Sequence, residues 1–273
     1  MKLGISLRTM GPQSTAETLG ACARAAEAAG LDEIFVPDHI AIPPDDAEGS
    51  GGRYLDPLTA LAWLAARTER IGLGTAVLIL PYRPALPTAK AIATIQELSG
   101  NRLTALGVGV GWMEPEFRAL GVPKRRRAAD SDAVLEFLGR AFASDVVEQN
   151  GQPFLFLPRP PRPALLVGGA APHALARAAR FGDGWMPIGA KPADLAPQVT
   201  RLRELFAAAG KPAPDVSVMT RLPLEDPERA ADLARGYADL GATRLVHSNR
   251  YADTAELARA AEAIAVRIRP ALA

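Results

Sequence analysis

A chain of 273 residues is long enough for one large α/β barrel or two small domains, and its 48% hydrophobic and 22% charged residues are ordinary for a globular protein. A formal net charge of +1 gives no global pull toward nucleic acid or an anionic membrane surface, so neither is an expected partner. The single cysteine, Cys22, lies in an Ala-rich helical run and rules out an intramolecular disulfide or a cysteine-based metal site.

Met1-Lys2 leads directly into an apolar run at 3–7 that reads as a strand. There is no basic, apolar, small-residue leader pattern and no apolar run near 18 residues, so the expected location is cytoplasmic. Residues 15–29 follow a helical period and end at Gly30, and 32–37 form a second strand. A loop rich in Pro, Asp and Gly covers 38–54, before a helix at 55–68. The almost wholly apolar 71–80 is the third strand, 86–98 the third helix, and 103–110 the fourth strand. The period then lengthens. Residues 112–161 hold a short helix near 114–120, a basic turn at 124–127, a helix at 130–143 and a hairpin-like stretch at 146–157. Strands at 164–167 and 185–188 follow, with a helix between them to about Phe181. A helix at 192–209, a strand at 215–220, a helix at 227–240, a strand at 243–247 and a helix at 254–269 complete the chain.

Eight apolar strands, each followed by a helix, predict a parallel sheet covered on both faces. Eight units in this length match an α/β fold of one domain, residues 1–273, closed as a (β/α)8 TIM barrel. An open doubly wound sheet is the alternative. Residues 112–161 are expected as an insertion after strand four, on the catalytic side.

A parallel barrel builds its site where strands run out into loops. That places Asp38 and His39, Thr75, Ala76 and Val77, Gly109, Gly111 and Trp112, Gly168, Gly169 and Ala170, Met186, and His247 at the candidate site. A histidine at such a position can serve as general acid or base near neutral pH. His39 and His247 are therefore candidates, whereas His173 falls in the first turn of a helix and reads as scaffolding. Gly168-Gly169 between a strand and a helix opened by Pro172 makes an anion site at the helix terminus. The same residues also suit a plain strand-to-helix connection. The run Gly107-Val108-Gly109-Val110-Gly111 lacks the context of a dinucleotide fingerprint. Its glycines either let a flat ring lie on the backbone or relieve crowding in the barrel. No His/Asp/Glu set stands at metal-ligand spacing, and none is expected to hold a metal.

Several segments together resemble the luciferase-like monooxygenase superfamily, and within it the branch that uses the deazaflavin F420. They are Ala29-Gly30-Leu31-Asp32, Pro37-Asp38-His39, the stretch 70–77, Pro81-Tyr82-Arg83-Pro84, Ser99-Gly100-Asn101-Arg102, Gly107–Trp112, Glu116-Phe117, Val167-Gly168-Gly169 and Gly182-Asp183-Gly184-Trp185. The resemblance implies a barrel with a flavin or deazaflavin at its carboxyl face. It implies a non-proline cis peptide after strand three, at Ala76–Val77, bulging against the central ring with Thr75 beside it. The cofactor phosphate would lie near Gly168, Gly169 and Ala170, and Gly109 and Gly111 beside the ring. His39 would line the active site, with Asp38 next to it, as proton donor or acceptor. Trp112, Met186 and His247 would shape the pocket of a small-molecule substrate.

One departure stands out. The sugar-phosphate dehydrogenase branch carries a glutamate after the Gly-Val-Gly-x-Gly run, and Trp112 stands there instead. The expectation is that the carboxylic acid for proton transfer is missing. The reading is an oxidoreductase moving hydride between F420 and a small organic substrate. The alternatives are an FMN-dependent two-component monooxygenase and a non-catalytic flavin-binding homologue, against which Asp38 and His39 argue. The expected partners are an F420 or flavin reductase and a second copy of the chain, as a homodimer formed through helices 55–68 and 86–98.

Overall fold

The computed structural model describes residues 1–272. In chain order the strands are β1 (Lys2–Ser6), β2 (Glu33–Val36), β3 (Gly72–Ile79), β4 (Leu103–Gly109), β5 (Val146–Gln149), β6 (Gln152–Leu155), β7 (Ala164–Gly168), β8 (Gly184–Met186), β9 (Asp215–Thr220) and β10 (Arg244–His247). Eight of them close a parallel barrel in the order β1-β10-β9-β8-β7-β4-β3-β2, and β5 pairs with β6 as an antiparallel hairpin. The helices are α1 (Ala16–Ala28), α2 (Pro57–Ala65), α3 (Ala85–Leu98), α4 (Glu114–Ala119), α5 (Arg127–Ala141), α6 (His173–Phe181), α7 (Pro192–Ala208), α8 (Pro227–Asp239) and α9 (Thr254–Ala263).

Local chemistry sets the helix starts. The side chains of Thr15, Asp56, Asp226 and Asp253 each accept a backbone N–H three residues on, at the heads of α1, α2, α8 and α9. The last helix differs from the expected continuous run to 269. After Ala263 it widens into a π-helical turn, Ile264–Ile268.

Alternation along the strands separates two cores. Ile34 and Val36 of β2 face the helices, while Phe35 faces inward. The interior layer is Phe35, Ala105, Leu166, Met186, Met219 and Val246, a packed core and not a pore. Glycines make room for it: a Cβ on Gly74 would sit 2.5 Å from the Phe35 ring, and one on Gly107 would sit 2.3 Å from the Thr75 carbonyl oxygen. Toward the amino-terminal end the interior turns ionic. Glu33 accepts from Lys2 Nζ at 3.0 Å, Thr104 Oγ1 at 2.8 Å and Arg244 Nε at 3.1 Å. Arg244 also donates to Asp215 Oδ2 at 2.6 Å.

The segment after β4 divides in a way its sequence did not suggest. Helix α5 packs against both α3 and α6, which makes it the fourth helix of the barrel wall and not part of an insertion. A barrel helix carries the chain back from the carboxyl to the amino ends of the strands. The β5–β6 hairpin follows α5, so it belongs to the return side. Its trailing segment lies along α3, where Lys90 Nζ donates to the Leu157 carbonyl at 2.6 Å and Gln96 Nε2 to that of Pro161 at 3.0 Å. Helix α4 is the part that sits over the site. Among the described residues no helix is long and apolar enough to cross a membrane.

Removing one partner of a buried ion pair leaves the other charge uncompensated. Arg244→Met therefore lowers unfolding free energy by about 3–5 kcal/mol in urea titrations; a loss under about 1 kcal/mol would show that Glu33 is adequately held by Lys2 and Thr104 alone.

Candidate active site

The chain leaves β2 as Pro37-Asp38-His39. Asp38 is 3% exposed. Its Oδ2 accepts the Ile79 N–H at 2.8 Å and Arg83 Nη1 at 2.6 Å, and its Oδ1 accepts Arg83 Nη2 at 2.9 Å. Arg83 reaches on to Asp56 Oδ2 at 2.8 Å. Burial alone would weaken the hold of Arg83 on its proton, but the two carboxylates on either side raise its pKa and keep it cationic. Both oxygens of Asp38 are thus spent in tying the exit of β2 to that of β3. Asp38, expected beside His39 at the active site, braces the loop that carries it.

His39 turns the other way, toward Glu116 on α4. Glu116 is fully buried. Its Oε2 lies 2.9 Å from His39 Nδ1 and accepts the Tyr82 hydroxyl at 2.7 Å, while its Oε1 accepts the backbone N–H groups of Ile40 at 2.5 Å and Ala41 at 2.9 Å. Burial pushes this carboxyl up, yet the bonds from His39, Ile40, Ala41 and Tyr82 outweigh it and hold the pKa at about 2. An ionised carboxylate accepts and cannot donate, so His39 must carry a hydrogen on Nδ1. Its Nε2 is left for the cavity. Tyr54 and Trp112 stand edge-on to the imidazole, with centroids 5.1 and 6.1 Å away.

The site nonetheless holds a carboxylate, although Glu116, ionised and engaged through both oxygens, is no proton donor. Trp112 does stand just after the glycine run, but the first turn of α4 supplies a carboxylate four residues later. In the sequence Glu116-Phe117 belongs to the family resemblance, which assigns it no role. The available signal was an acidic residue on a short helix placed directly over the end of a barrel strand.

A cavity of about 390 Å³ opens beside His39. Its floor is the Ala76–Val77 segment, where the peptide is cis, as the resemblance implied, and β3 slips register against β4 between Thr75 and Leu78. The slip thrusts the Val77 side chain between β4 and β7. A Cβ on Gly109 would lie 2.6 Å from Val77 Cγ2, and one on Gly168 would lie 3.0 Å from Cγ1. These two glycines therefore accommodate the bulge, and it is the bulge that meets the cavity. Gly111 and Gly169 adopt φ of +74° and +113°, in the range that disfavours side chains. Trp185 Nε1 donates to the Gly169 carbonyl at 2.9 Å and pins that turn.

Nine of the sequence candidates line this one cavity: Asp38, His39, Ala76, Val77, Gly109, Gly111, Trp112, Gly168 and Gly169. The other four do not line it. Ala170 lines an adjoining space that shares Gly169 and Ile188 with the first. Thr75 is fully buried, its hydroxyl given to the Gly107 carbonyl at 2.7 Å. Met186 fills the barrel interior, because a residue on the last turn of β8 points inward at that register. His247 opens onto a different cavity, beside Arg221, Glu225 and Arg259. Among the described residues no group of three His, Cys, Asp or Glu is placed to hold a metal ion.

A parallel barrel with a histidine, a buried carboxylate and a bulged strand at its carboxyl face defines a class of enzyme, and known proteins agree. The luciferase-like monooxygenase family model matches residues 1–271, and the chain belongs to that family of oxidoreductases. An uncharacterised Mycobacterium tuberculosis protein is 34% identical over 210 residues, spanning 70% of this chain and 72% of that one. An F420-dependent glucose-6-phosphate dehydrogenase of Kineococcus radiotolerans is 30% identical over 257 residues, spanning 88% and 74%. The crystal structure of the monooxygenase RslO1 from Streptomyces bottropensis superposes with a TM-score of 0.80 at 22% identity, over the whole of both chains.

Glu116 offers a test of the electrostatics. Its pKa is depressed in the folded chain, so its contribution is fully present above the unfolded carboxyl value and fades as pH falls toward about 2. Glu116→Gln is expected to cost about 2–3 kcal/mol at pH 7. In urea unfolding at pH 7 and pH 3, the gap between wild type and variant should narrow at the lower pH. A constant gap would mean that the carboxylate charge contributes nothing.

Proposed function

We propose that the chain is an F420-dependent oxidoreductase that transfers hydride between the deazaflavin and a small organic substrate, with His39 moving the accompanying proton. The observation that carries this reading is an imidazole locked through Nδ1 to a buried carboxylate, with its other nitrogen on a cavity floored by a strand bulge. The cavity fits a flat ring: its floor is the apolar Ala76–Val77 pair, and flanking Cβ atoms are missing at Gly109 and Gly168. On one side lies the Gly169–Ala170 turn leading to α6, where backbone N–H groups favour an anion such as the cofactor phosphate. The choice of F420 rests on the identity with the F420-dependent relative.

When bound, the deazaflavin supplies the hydride donor or acceptor. The protein supplies position and the proton. In the oxidative direction the substrate loses a hydride and a proton, and Nε2 of His39 takes the proton. Glu116 then faces an imidazolium at 2.9 Å and stabilises it. In the reductive direction the same nitrogen returns the proton. Asp38 and Arg83 hold the loop that carries His39, and so act as positioning residues. Trp112 and Ile188, both largely exposed at the rim, give the entering substrate an apolar wall.

Side-by-side titration of the apo-protein with F420 and FMN tests the cofactor. F420 is expected to bind at least about tenfold more tightly, a difference of about 1.4 kcal/mol. Preference for FMN, with substrate-dependent oxygen consumption when FMNH2 is supplied, would replace this reading with a two-component monooxygenase. His39→Ala is expected to lower turnover about 10²–10⁴-fold with little change in F420 affinity. Unchanged turnover would remove His39 from the chemistry.

Gly109→Ala probes the floor. The new methyl would collide with Val77, so F420 affinity should fall by about tenfold or more while the far-UV circular dichroism stays that of the wild type. Unchanged affinity would show that the bulge does not contact the cofactor.

A further inference from the structure

The loops after β9 and β10 and one face of α9 enclose a cavity of about 490 Å³. It shares no lining residue with the cavity under His39. Three guanidinium groups surround it: Arg221 from the β9 loop, and Arg259 and Arg267 two turns apart on α9 and its π-helical extension. All three are exposed, and none forms an ion pair among the described residues. Two carboxylates also line it. Glu256 is engaged by its own helix, accepting the Ala252 N–H at 2.8 Å. Glu225 lies at the outer edge and is exposed. The arginines outnumber the carboxylates.

The buried wall is His247, only 2% exposed. Its Nδ1 accepts the Leu222 N–H at 3.1 Å, so the neutral ring carries its hydrogen on Nε2. Burial, then the charge of Arg221, lowers its pKa to about 4, and the ring is neutral at physiological pH. The Nε2–H takes no partner among the described residues and faces the cavity. An unpartnered N–H that opens onto a cavity is available to an acceptor that enters it. The acceptor that also suits three guanidinium groups is an oxyanion. The loops after the seventh and eighth strands of a barrel are, besides, a recurrent place for phosphate groups.

We propose that this cavity is a second ligand site, independent of the one under His39, that takes a small organic anion through its phosphate or carboxylate group. Arg221, Arg259 and Arg267 supply the charge, and His247 Nε2 and Asn249 the neutral hydrogen bonds. The volume exceeds that of a bare ion, so the anion is the head of a larger molecule, whose body rests on Leu222, Leu224 and Ala263.

The test is titration of the full chain with sodium phosphate and, separately, sodium malonate, in a buffer free of other oxyanions. Calorimetry reads the affinity, and the imidazole carbon-bound proton signals of the three histidines locate the site. At least one anion should bind saturably with Kd below about 10 mM, shifting the His247 signal and leaving that of His39 in place. The anion preferred assigns the head group. Arg259→Ala, an exposed change, and His247→Asn, which keeps an acceptor near the Nδ1 position, should each weaken binding about tenfold. Absence of saturable binding, a shift at His39 in place of His247, or affinity unchanged in Arg259→Ala overturns the proposal.

Discussion

A carboxylate with no exposed surface keeps its charge only if donors meet it from every side. Glu116 satisfies that condition with four, and each of them pins a different part of the site. The Ile40 and Ala41 amides fix the path of the chain beyond β2. The Tyr82 hydroxyl draws in the turn after β3. His39 is left with one tautomer and one ring orientation. Helix α4 is only six residues long, too short to be stable alone, and it is held in place by these contacts and by Phe117 against Tyr82.

The floor of the site rests on a second constraint, which is steric. A barrel of eight strands has an interior just wide enough to be filled by side chains. Here Phe35 and Met186 take so much of that space that neighbouring strands must offer glycine. The bulge at Val77 continues the same rule one layer higher, needing Gly109 and Gly168 beside it. Floor and wall are linked through Asp38, which bonds both the Ile79 amide after the bulge and the guanidinium of Arg83. His39 and the bulged floor of the cavity are therefore braced by a single pair of loops.

The same barrel rim serves two chemically different places. His39 and His247 both follow barrel strands and look equivalent along the chain. One is joined to an anionic carboxylate and lies in an apolar slot. The other is neutral, bonded to a backbone amide, and set among arginines. What separates them is the identity of the neighbours that other loops bring, and those neighbours are 77 and 25 residues away in sequence.

Strand and helix positions could be read from the chain because nearly continuous apolar strands, helical periods and glycine stops are local patterns. They agree with the structure to within a few residues at most ends, and their number implied the closed barrel. The glycine run after β4 and the Asp38-His39 pair marked the site for the same local reason. The rest depended on distance in space. Whether Glu116 is buried, whether Asp38 is free or paired, which way Met186 points, and which end of the barrel the β5–β6 hairpin occupies are each settled by contacts across the fold. Hydrophobic periodicity carries which face of an element is buried. It carries no information on which polar group another element will place opposite, and that pairing sets charge, tautomer and access at the site.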